Sequence, residues 1–274
     1  MIKVTSVSGG KTSAYIAANY RADALVFALV RTNEVKFKDD YLRKMVENKI
    51  QKPFIGTLEN DIIISTIFDL EQYTGQEISW VTGQTFEEVI KYKKILPNIA
   101  MRFCTTELKM RPIFHWWYEK YSEPVEMNIG YRVTEQNRAK RMLEKCNEQG
   151  LNEFKATFEK VNNRNKWQTV AWRKPAFPLI YDMIDQHDIN DFWKDKPVRF
   201  SEFNNCIGCP NFRTARLKHS ATNYPNKFDW FINQESKIKG QWKKEISYQK
   251  IKELPEQFDV FKGSNSCDSG FCGM

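Results

Sequence analysis

The chain has no run of apolar residues that approaches the length needed to cross a bilayer, about 20 residues. Residues 1–4 lead directly into an alternating, strand-like pattern, which leaves no room for a cleavable secretory signal. Internal repeats and low-complexity blocks are also missing. These absences argue against a membrane-spanning, secreted or repeat protein, and they predict a cytoplasmic protein without a membrane partner.

A chain of 274 residues, of which 41% are hydrophobic and 14% aromatic, is able to bury a full core. We therefore expect a single α/β domain with a smaller appendage. The 42 Lys and Arg residues outnumber the 34 Asp and Glu residues, so the formal net charge is +8. This excess favours a polyanionic partner, either a nucleotide or a nucleic acid, although a solvated lysine-rich surface accounts for it equally well.

Strand-like and helix-like patterns alternate through the first half of the chain. Strand patterns cover residues 3–7, 24–30, 77–81 and 125–129. Helical patterns cover residues 13–21, 39–49, 86–92, 105–121 and 135–146. Pro112 should mark a break or a new first turn within its helix. The alternation predicts an α/β fold with a doubly wound, mostly parallel sheet and with ligands at the carboxyl ends of its strands.

The second half of the chain is less regular. The polar composition of residues 150–166 predicts a surface insertion. A last strand is expected at residues 167–172, helices at residues 185–193 and 225–244, and a flexible tail at residues 263–266. We predict an α/β domain over residues 1–200, followed by a small cysteine-bearing region of helices and loops over residues 201–274.

A glycine turn joins the first predicted strand to the first predicted helix. It consists of Ser8, Gly9, Gly10, Lys11, Thr12 and Ser13. Unpaired backbone N–H groups and the helix dipole favour an anion at such a junction, and glycine allows phosphate oxygens to approach closely. The turn also ends like a Walker A loop, but Thr5 stands where that motif needs a glycine. A glycine turn without any ligand is the remaining alternative.

The same turn resembles the Ser-Gly-Gly-x-x-Ser loop of the PP-loop ATP pyrophosphatases, within the broader family of adenine nucleotide α-hydrolases and PAPS reductases. The resemblance implies a Rossmann-like domain of the HUP type and an adenine nucleotide, such as ATP, that is held by its phosphates. It also implies a reaction at the α-phosphate, and Mg²⁺ is a further cofactor to consider with such a nucleotide. Many members of the family have Asp where this chain has Thr12.

Two further segments resemble the same family in the same order. Thr32 and Asn33 follow the second strand, where members place a polar turn near the nucleotide. Residues 101–112 look like the family's Arg-x-Cys segment, which is followed by a lysine, here Lys109, and a proline. In the family this segment leads cationic side chains toward the phosphates, which implies that role for Lys109.

Residues 130–141 are similar to the strand-end Gly-x-Arg-x-x-Glu-x-x-Arg segment of sulfate adenylyltransferase small subunits, PAPS reductases and DNA phosphorothioation enzymes. Gly130, Arg132 and Arg138 occupy the matching positions. Guanidinium groups are planar donors that suit phosphate or sulfate, so we expect both arginines to face the nucleotide. A basic helix face in water is the alternative. With a packing segment at residues 177–193, the resemblance covers roughly residues 1–215.

Six cysteines in a chain without a secretory signal favour metal, cluster or redox chemistry over a disulfide framework. They are Cys104, Cys146, Cys206, Cys209, Cys267 and Cys272. The C-x-x-C turn at residues 206–209 lets two thiolates reach one metal, which is either zinc completed by His219 or a second cysteine pair, or a 4Fe-4S cluster.

The resemblance favours iron, since family members hold a cluster between the cysteine of the Arg-x-Cys segment and a later C-x-x-C. This implies Cys104, Cys206 and Cys209 as ligands, either in a three-cysteine site or in a site completed by the tail, for which Cys267 is the candidate. Cluster-binding reductases have two adjacent cysteines at the first place, whereas Thr105 follows Cys104 here. Cys146 is expected to be an ordinary helix residue.

Three functions remain open. The first is ATP-dependent adenylation coupled to sulfur transfer, with Lys109 and Arg132 as catalytic cations and with a nucleic acid or a sulfur-donor protein as partner. The second is a sulfonucleotide reductase, acting on PAPS or APS, in which Cys272 attacks the sulfur. The third is a catalytically idle module that binds a nucleotide or a nucleic acid. A homo-oligomer is compatible with each function.

Overall fold

The computed structural model describes residues 1–162 and 164–255, which fold around a six-stranded sheet. Its strands are β1 (Lys3–Val7), β2 (Ala24–Ala28), β3 (Ile78–Val81), β4 (Val125–Asn128), β5 (Asn152–Val161) and β6 (Arg164–Ala176). They lie in the order β3-β2-β1-β4-β6-β5, and every neighbouring pair is parallel except β5 with β6. The predicted α/β class with a mostly parallel sheet is confirmed.

Helices connect the strands and cover the sheet. They are α1 (Lys11–Asn19), α2 (Asp40–Ile50), α3 (Ile62–Thr74), α4 (Phe86–Lys93), α5 (Phe103–Thr105), α6 (Arg111–Lys120), α7 (Gln136–Leu143), α8 (Pro178–Tyr181), α9 (Gln186–Trp193), α10 (Thr214–Asn223), α11 (Pro225–Ile238) and α12 (Tyr248–Glu253). One π-helical turn, Thr106–Met110, joins α5 to α6. Pro112 lies in the first turn of α6, directly after the π-helical turn, as we predicted.

Both faces of the sheet are buried. Leu25 and Phe27 of β2 pack on one side with α1, α2, α3 and α9, whereas Val26 and Ala28 pack on the other side with α6 and α7. This explains why β2 is a continuous apolar run rather than an alternating one. The described residues include no helix with the length and apolar character that a bilayer crossing requires.

A third apolar cluster joins the C-terminal helices to the first half of the chain. Phe86 of α4 contacts Trp230 of α11 and Trp242, with ring centroids 5.3 Å and 6.0 Å away. The cluster also includes Val30 and Leu108 from the first half, beside the aromatic side chains of α11 and α12. Helices α10 to α12 therefore pack directly beside the carboxyl ends of the strands, and the division near residue 200 stays a prediction.

Residues 150–166, predicted as a surface insertion, instead contain β5 and the beginning of β6. Phe154 and Phe158 alternate with charged residues, and they stack on Phe114 and Tyr118 of α6 at centroid distances of 4.7 Å and 4.1 Å. The segment is polar on average because only one of its faces is buried. The alternation with period two was the signal that the compositional argument missed.

Candidate functional site

The order of the strands places a topological switch point between β1 and β4. From β1 the chain proceeds to β2 and β3 on one side, and then crosses to β4 on the other side. The glycine turn follows β1, and Gly130 follows β4. A Cβ atom on Gly130 would lie 3.2 Å from Cγ2 of Thr12, so the two predicted segments pack against each other. Ligands of open α/β sheets bind at such a point, outside the carboxyl ends of the strands.

The glycine turn is held in shape by its own hydroxyl groups. Ser13 Oγ accepts the backbone N–H of Ser8 at 3.0 Å and donates to the Gly10 carbonyl oxygen at 3.2 Å. The Ser8 and Ser13 hydroxyl oxygens are also 3.0 Å apart. Gly9 has a φ of +75°, and a Cβ atom there would lie 2.6 Å from Cγ2 of Ile63. Glycine at this position is therefore required by the backbone and by the close approach of α3.

Thr12 lies in the first turn of α1 and has no exposed surface. Its Oγ1 atom has no hydrogen-bond partner among the described residues. Buried hydroxyl groups are nearly always paired, since an unpaired one loses its hydration without compensation. This unpartnered hydroxyl lies in the first turn of α1, beside the kind of backbone N–H groups with which helix N-termini bind anions.

Lys11 points along helix α9 in this structure. Its Nζ atom donates to Oδ1 of Asn190 at 3.1 Å, and its carbonyl oxygen accepts the indole N–H of Trp193 at 3.0 Å. Helix α9 is thereby attached to the first residue of α1. The resemblance treated this helix as a packing element, and the structure adds a polar contact with the glycine turn.

Arg132 and Arg138 lie together and are not directed into open solvent. Arg132 is 6% exposed, its Nε atom is 3.0 Å from Oε2 of Glu135, and its Nη1 atom donates to Oε1 of Gln186. Arg138 also pairs with Glu135, and its guanidinium carbon lies 4.4 Å from the ring centroid of Tyr131. One carboxylate therefore orients both predicted guanidinium groups beside the strand end that Gly130 terminates.

The structure ties Thr32 and Asn33 to helices α4 and α11. The Thr32 hydroxyl donates to Oε1 of Glu87, and the Asn33 backbone N–H donates to its Oε2 at 3.3 Å. The indole N–H of Trp230 donates to the same Glu87 at 2.9 Å. These contacts give Thr32 a structural role in the described chain, and its part in nucleotide binding stays a prediction.

Cys104, Cys206 and Cys209 line a common pocket of about 50 Å³. Its wall also includes Arg102, Lys109, three asparagines and apolar side chains such as Phe86 and Leu108. Burial raises the pKa of the Cys104 thiol to about 11, and the nearby Cys209 adds to this rise. Burial likewise raises the pKa of Cys206 and Cys209. Residues separated by about a hundred positions are thus brought together as the resemblance implied.

Three thiols that line one pocket are a donor set that suits iron or zinc. Burial disfavours the ionised form of these thiols, and a bound cation would favour it. Across residues 1–162 and 164–255, however, no three Cys, His, Asp or Glu side chains are already arranged to hold a metal ion. The three cysteines therefore fit the chemistry of a cluster without forming a complete ligand set. Cys267 and Cys272 lie outside the described residues.

Cys146 lies apart from this pocket, at the end of α7. Its thiol donates to the Met142 carbonyl oxygen at 3.5 Å and accepts from Nδ2 of Asn152 at 3.1 Å. Met142 lies in α7, and Asn152 is the first residue of β5. Cys146 lies beyond the last residue of α7 and forms a β-bridge with Asn152, so its predicted place within a helix was wrong, and its role as a residue without special chemistry stays a prediction.

Lys109 forms an ion pair that the sequence did not reveal. Its Nζ atom lies 2.7 Å from Oε1 of Glu59, whose side chain is 2% exposed. The backbone of Glu59 forms a β-bridge with Cys206. Lys227 of α11 donates to the Glu59 carbonyl oxygen and, at 2.6 Å, to Oδ1 of Asp61. Two lysines and two carboxylates thus lie beside the thiol pocket.

Residues 59–63 connect the two candidate sites. Glu59 contacts Cys206 and Lys109 at one end, and Ile63 packs against Gly9 at the other end. The glycine turn and the thiol pocket are therefore neighbours across one short segment. Sequence reasoning missed Glu59, Asp61 and Lys227, because they belong to no motif and Lys227 lies 168 residues from Glu59 along the chain.

No protein-family model, curated protein or solved structure matches this chain. The function must therefore be argued from the geometry of the two neighbouring sites and from the motif resemblance.

Proposed function

We propose that the protein binds an adenine nucleotide, ATP in particular, at the glycine turn and activates an acceptor for sulfur transfer by reaction at the α-phosphate. The fold that this proposal assumes is a Rossmann-like domain of the HUP type. The strand order and the mostly parallel sheet support that assignment. The family resemblance supplies the identity of the nucleotide.

The observation that carries the proposal is the pair of segments that flank the switch point. The glycine turn follows β1 and the Gly130–Arg132 segment follows β4, and both lie at the carboxyl ends of adjacent parallel strands. A phosphate chain placed there would meet the N–H groups of the first turn of α1 and the Thr12 hydroxyl on one side. Arg132, held by Glu135, would approach it from the other side.

The chemistry has two balanced steps. An oxygen of the acceptor bonds to the α-phosphorus, and the bond from that phosphorus to the oxygen bridging toward the β-phosphorus breaks, so that pyrophosphate leaves. A sulfur nucleophile from a donor then bonds to the activated carbon of the acceptor, and AMP leaves with the acceptor oxygen. Cations that stabilise the negative charge developing on the phosphates are the protein's main contribution to the first step.

Cys104, Cys206 and Cys209 are the residues that would hold an iron–sulfur cluster next to this centre. When bound, the cluster would supply a soft, thiophilic iron centre for sulfur. Lys109 and Arg102 line the same pocket and would offset the negative charge of thiolate ligands. Residues 59–63 place that chemistry beside the nucleotide site.

Thr12→Val tests the nucleotide site, because valine keeps the shape of threonine and removes only the hydroxyl. We expect the free energy of unfolding to rise by about 1 kcal/mol, since an unpartnered buried hydroxyl is removed. We also expect the Kd for ATP to increase roughly 10- to 100-fold, as for a lost hydrogen bond to a charged group. Chemical denaturation and calorimetric titration of anaerobically purified protein measure the two effects.

Wild-type protein should convert ATP into AMP and pyrophosphate when the acceptor is present, and Thr12→Val should do so less efficiently. Unchanged ATP affinity in a destabilised Thr12→Val variant would show that the hydroxyl serves the fold alone. Reduction of a sulfonucleotide by the wild type, but not by Cys272→Ser, would establish the reductase instead.

Removal of the proposed cluster ligands gives a separate prediction. Protein purified without oxygen should contain iron and sulfide, and Cys206→Ala or Cys209→Ala should lose most of both. Cys146→Ala is the matched control, and it should retain them because its thiol contacts Met142 of α7 and Asn152 of β5, away from the thiol pocket. Metal analysis and visible absorption measure the result, and colourless wild-type protein with stoichiometric zinc would contradict the iron assignment.

A further inference from the structure

Two amide side chains on helix α9 link the cations of the candidate nucleotide site. Oδ1 of Asn190 accepts from Nζ of Lys11 at 3.1 Å and from Nε2 of Gln186 at 3.3 Å. Oε1 of Gln186 accepts in turn from Nη1 of Arg132. The side chains of Gln186 and Asn190 are one helical turn apart, so both lie on the same face of α9. A continuous chain of hydrogen bonds therefore runs from Lys11 after β1 to Arg132 after β4.

The choice of amides at these positions has an electrostatic consequence. An amide oxygen can hold a lysine or an arginine in one orientation, but it carries no net charge with which to neutralise that cation. A carboxylate at either position would form an ion pair and compete with an incoming anion. Of the other carboxylates at α9, Asp185 and Asp188 accept backbone N–H groups at the start of the helix, and Asp191 contacts His187 at 3.1 Å.

Helix α9 is also fixed rigidly enough to act as a support. Trp193 donates to the carbonyl oxygen of Lys11, and its ring packs against Tyr73 of α3 and against Phe200. Ile189 is fully buried under the same helix. The amide pair therefore stands on an element whose position relative to α1 is set by the core.

We propose that Gln186 and Asn190 are positioning residues that hold Lys11 and Arg132 on either side of a bound phosphate chain, and that the neutral amide of Asn190 leaves the charge of Lys11 available to it. Arg132 shares the single carboxylate of Glu135 with Arg138, and the amide of Gln186 adds no second negative charge there. This inference rests on the proposed nucleotide site and adds α9 to it. It assigns a binding role to a helix whose sequence indicated packing alone.

The test introduces one negative charge at a time into the amide pair. Asn190→Asp and Gln186→Glu keep the size of each side chain, and each should raise the Kd for inorganic pyrophosphate and for ATP about tenfold at low ionic strength. The melting temperature should stay unchanged or rise, because each new carboxylate gains a cationic partner. The difference from wild type should shrink as salt is added, since it arises from charge.

His187→Glu provides the matched control, because it adds the same charge on the same helix at a side chain that is 80% exposed and outside the amide pair. Its Kd should stay within about twofold of wild type. If the wild type binds ATP and Asn190→Asp and Gln186→Glu bind it equally well, the role of α9 is overturned and the proposed nucleotide site is not. Failure of the wild type to bind either probe would overturn both this role and the proposed nucleotide site.

Discussion

Gly9→Ala is expected to lower the free energy of unfolding by roughly 2–5 kcal/mol and to abolish ATP binding. The φ of +75° at Gly9 costs a residue with a side chain about 1–2 kcal/mol. The new Cβ atom would lie 2.6 Å from Cγ2 of Ile63, and forcing a packed contact apart costs about 1–3 kcal/mol more. The resulting shift of the turn would displace the N–H groups that we propose for phosphate. Urea unfolding and calorimetric titration with ATP measure both effects.

Gly75→Ala separates the cost of a positive φ from the cost of the contact with Ile63. Gly75 ends α3 with a φ of +64°, and within the described chain no heavy atom lies within 4 Å of the Cβ atom that alanine would add. We therefore expect about 1–2 kcal/mol of destabilisation and unchanged ATP affinity. Equal effects of Gly9→Ala and Gly75→Ala would show that the contact with Ile63 does not matter, and normal ATP binding by Gly9→Ala would contradict the proposed site.

Lys109→Met is expected to destabilise the protein by about 3 kcal/mol, because it leaves the buried carboxylate of Glu59 without its ion-pair partner. Removal of one partner from a buried pair costs about 3–5 kcal/mol, and Lys227 beside Glu59 should keep the loss at the lower end. The variant should also lose the iron and the activity that we propose for the protein, since the Glu59 backbone forms a bridge with Cys206. Chemical denaturation and metal analysis measure these losses.

The double variant Glu59→Gln with Lys109→Met should recover most of the lost stability, because no unpaired charge then remains buried. Its activity should stay low if Lys109 acts on the phosphates, and should return if the lysine serves only to pair with Glu59. Lys3→Met is a surface control: Lys3 pairs with Glu126 at 3.5 Å while its side chain is 54% exposed, so the loss should be below about 1 kcal/mol. If Lys109→Met lowered the free energy of unfolding as little as Lys3→Met does, the proposed contribution of the buried Lys109–Glu59 ion pair would be contradicted.

The regular elements of the first half were predictable because their signals are local. Strands β1 to β4 and helices α1, α2, α4 and α7 begin or end within a few residues of the predicted bounds. Helix α3 was missed, since residues 63–68 are buried without interruption and its apolar residues do not follow a clear period of 3.6. It is buried between the sheet and other helices, which removes the polar face that makes a helix recognisable.

The candidate site was predictable where a motif places several residues on one turn. The glycine turn and the Gly130–Arg138 segment each lie after a strand, and the parallel order of β1 and β4 brings them together. Glu59 was beyond such reasoning, because its partners Lys109 and Lys227 are 50 and 168 residues away. Gln186 and Asn190 matched only a packing segment, and their contacts depend on where α9 docks.

Short-range patterns in the chain were thus sufficient to predict the α/β class, the glycine turn and the C-x-x-C turn, since each depends on neighbours within one strand or turn. The packing of the sheet and its helices decided the rest. It determined which cations meet at the switch point, which carboxylates pair with them and which thiols share a pocket. Ion pairs and hydrogen bonds act over a few ångströms in space, and distance along the chain carries no information about them until the core is formed.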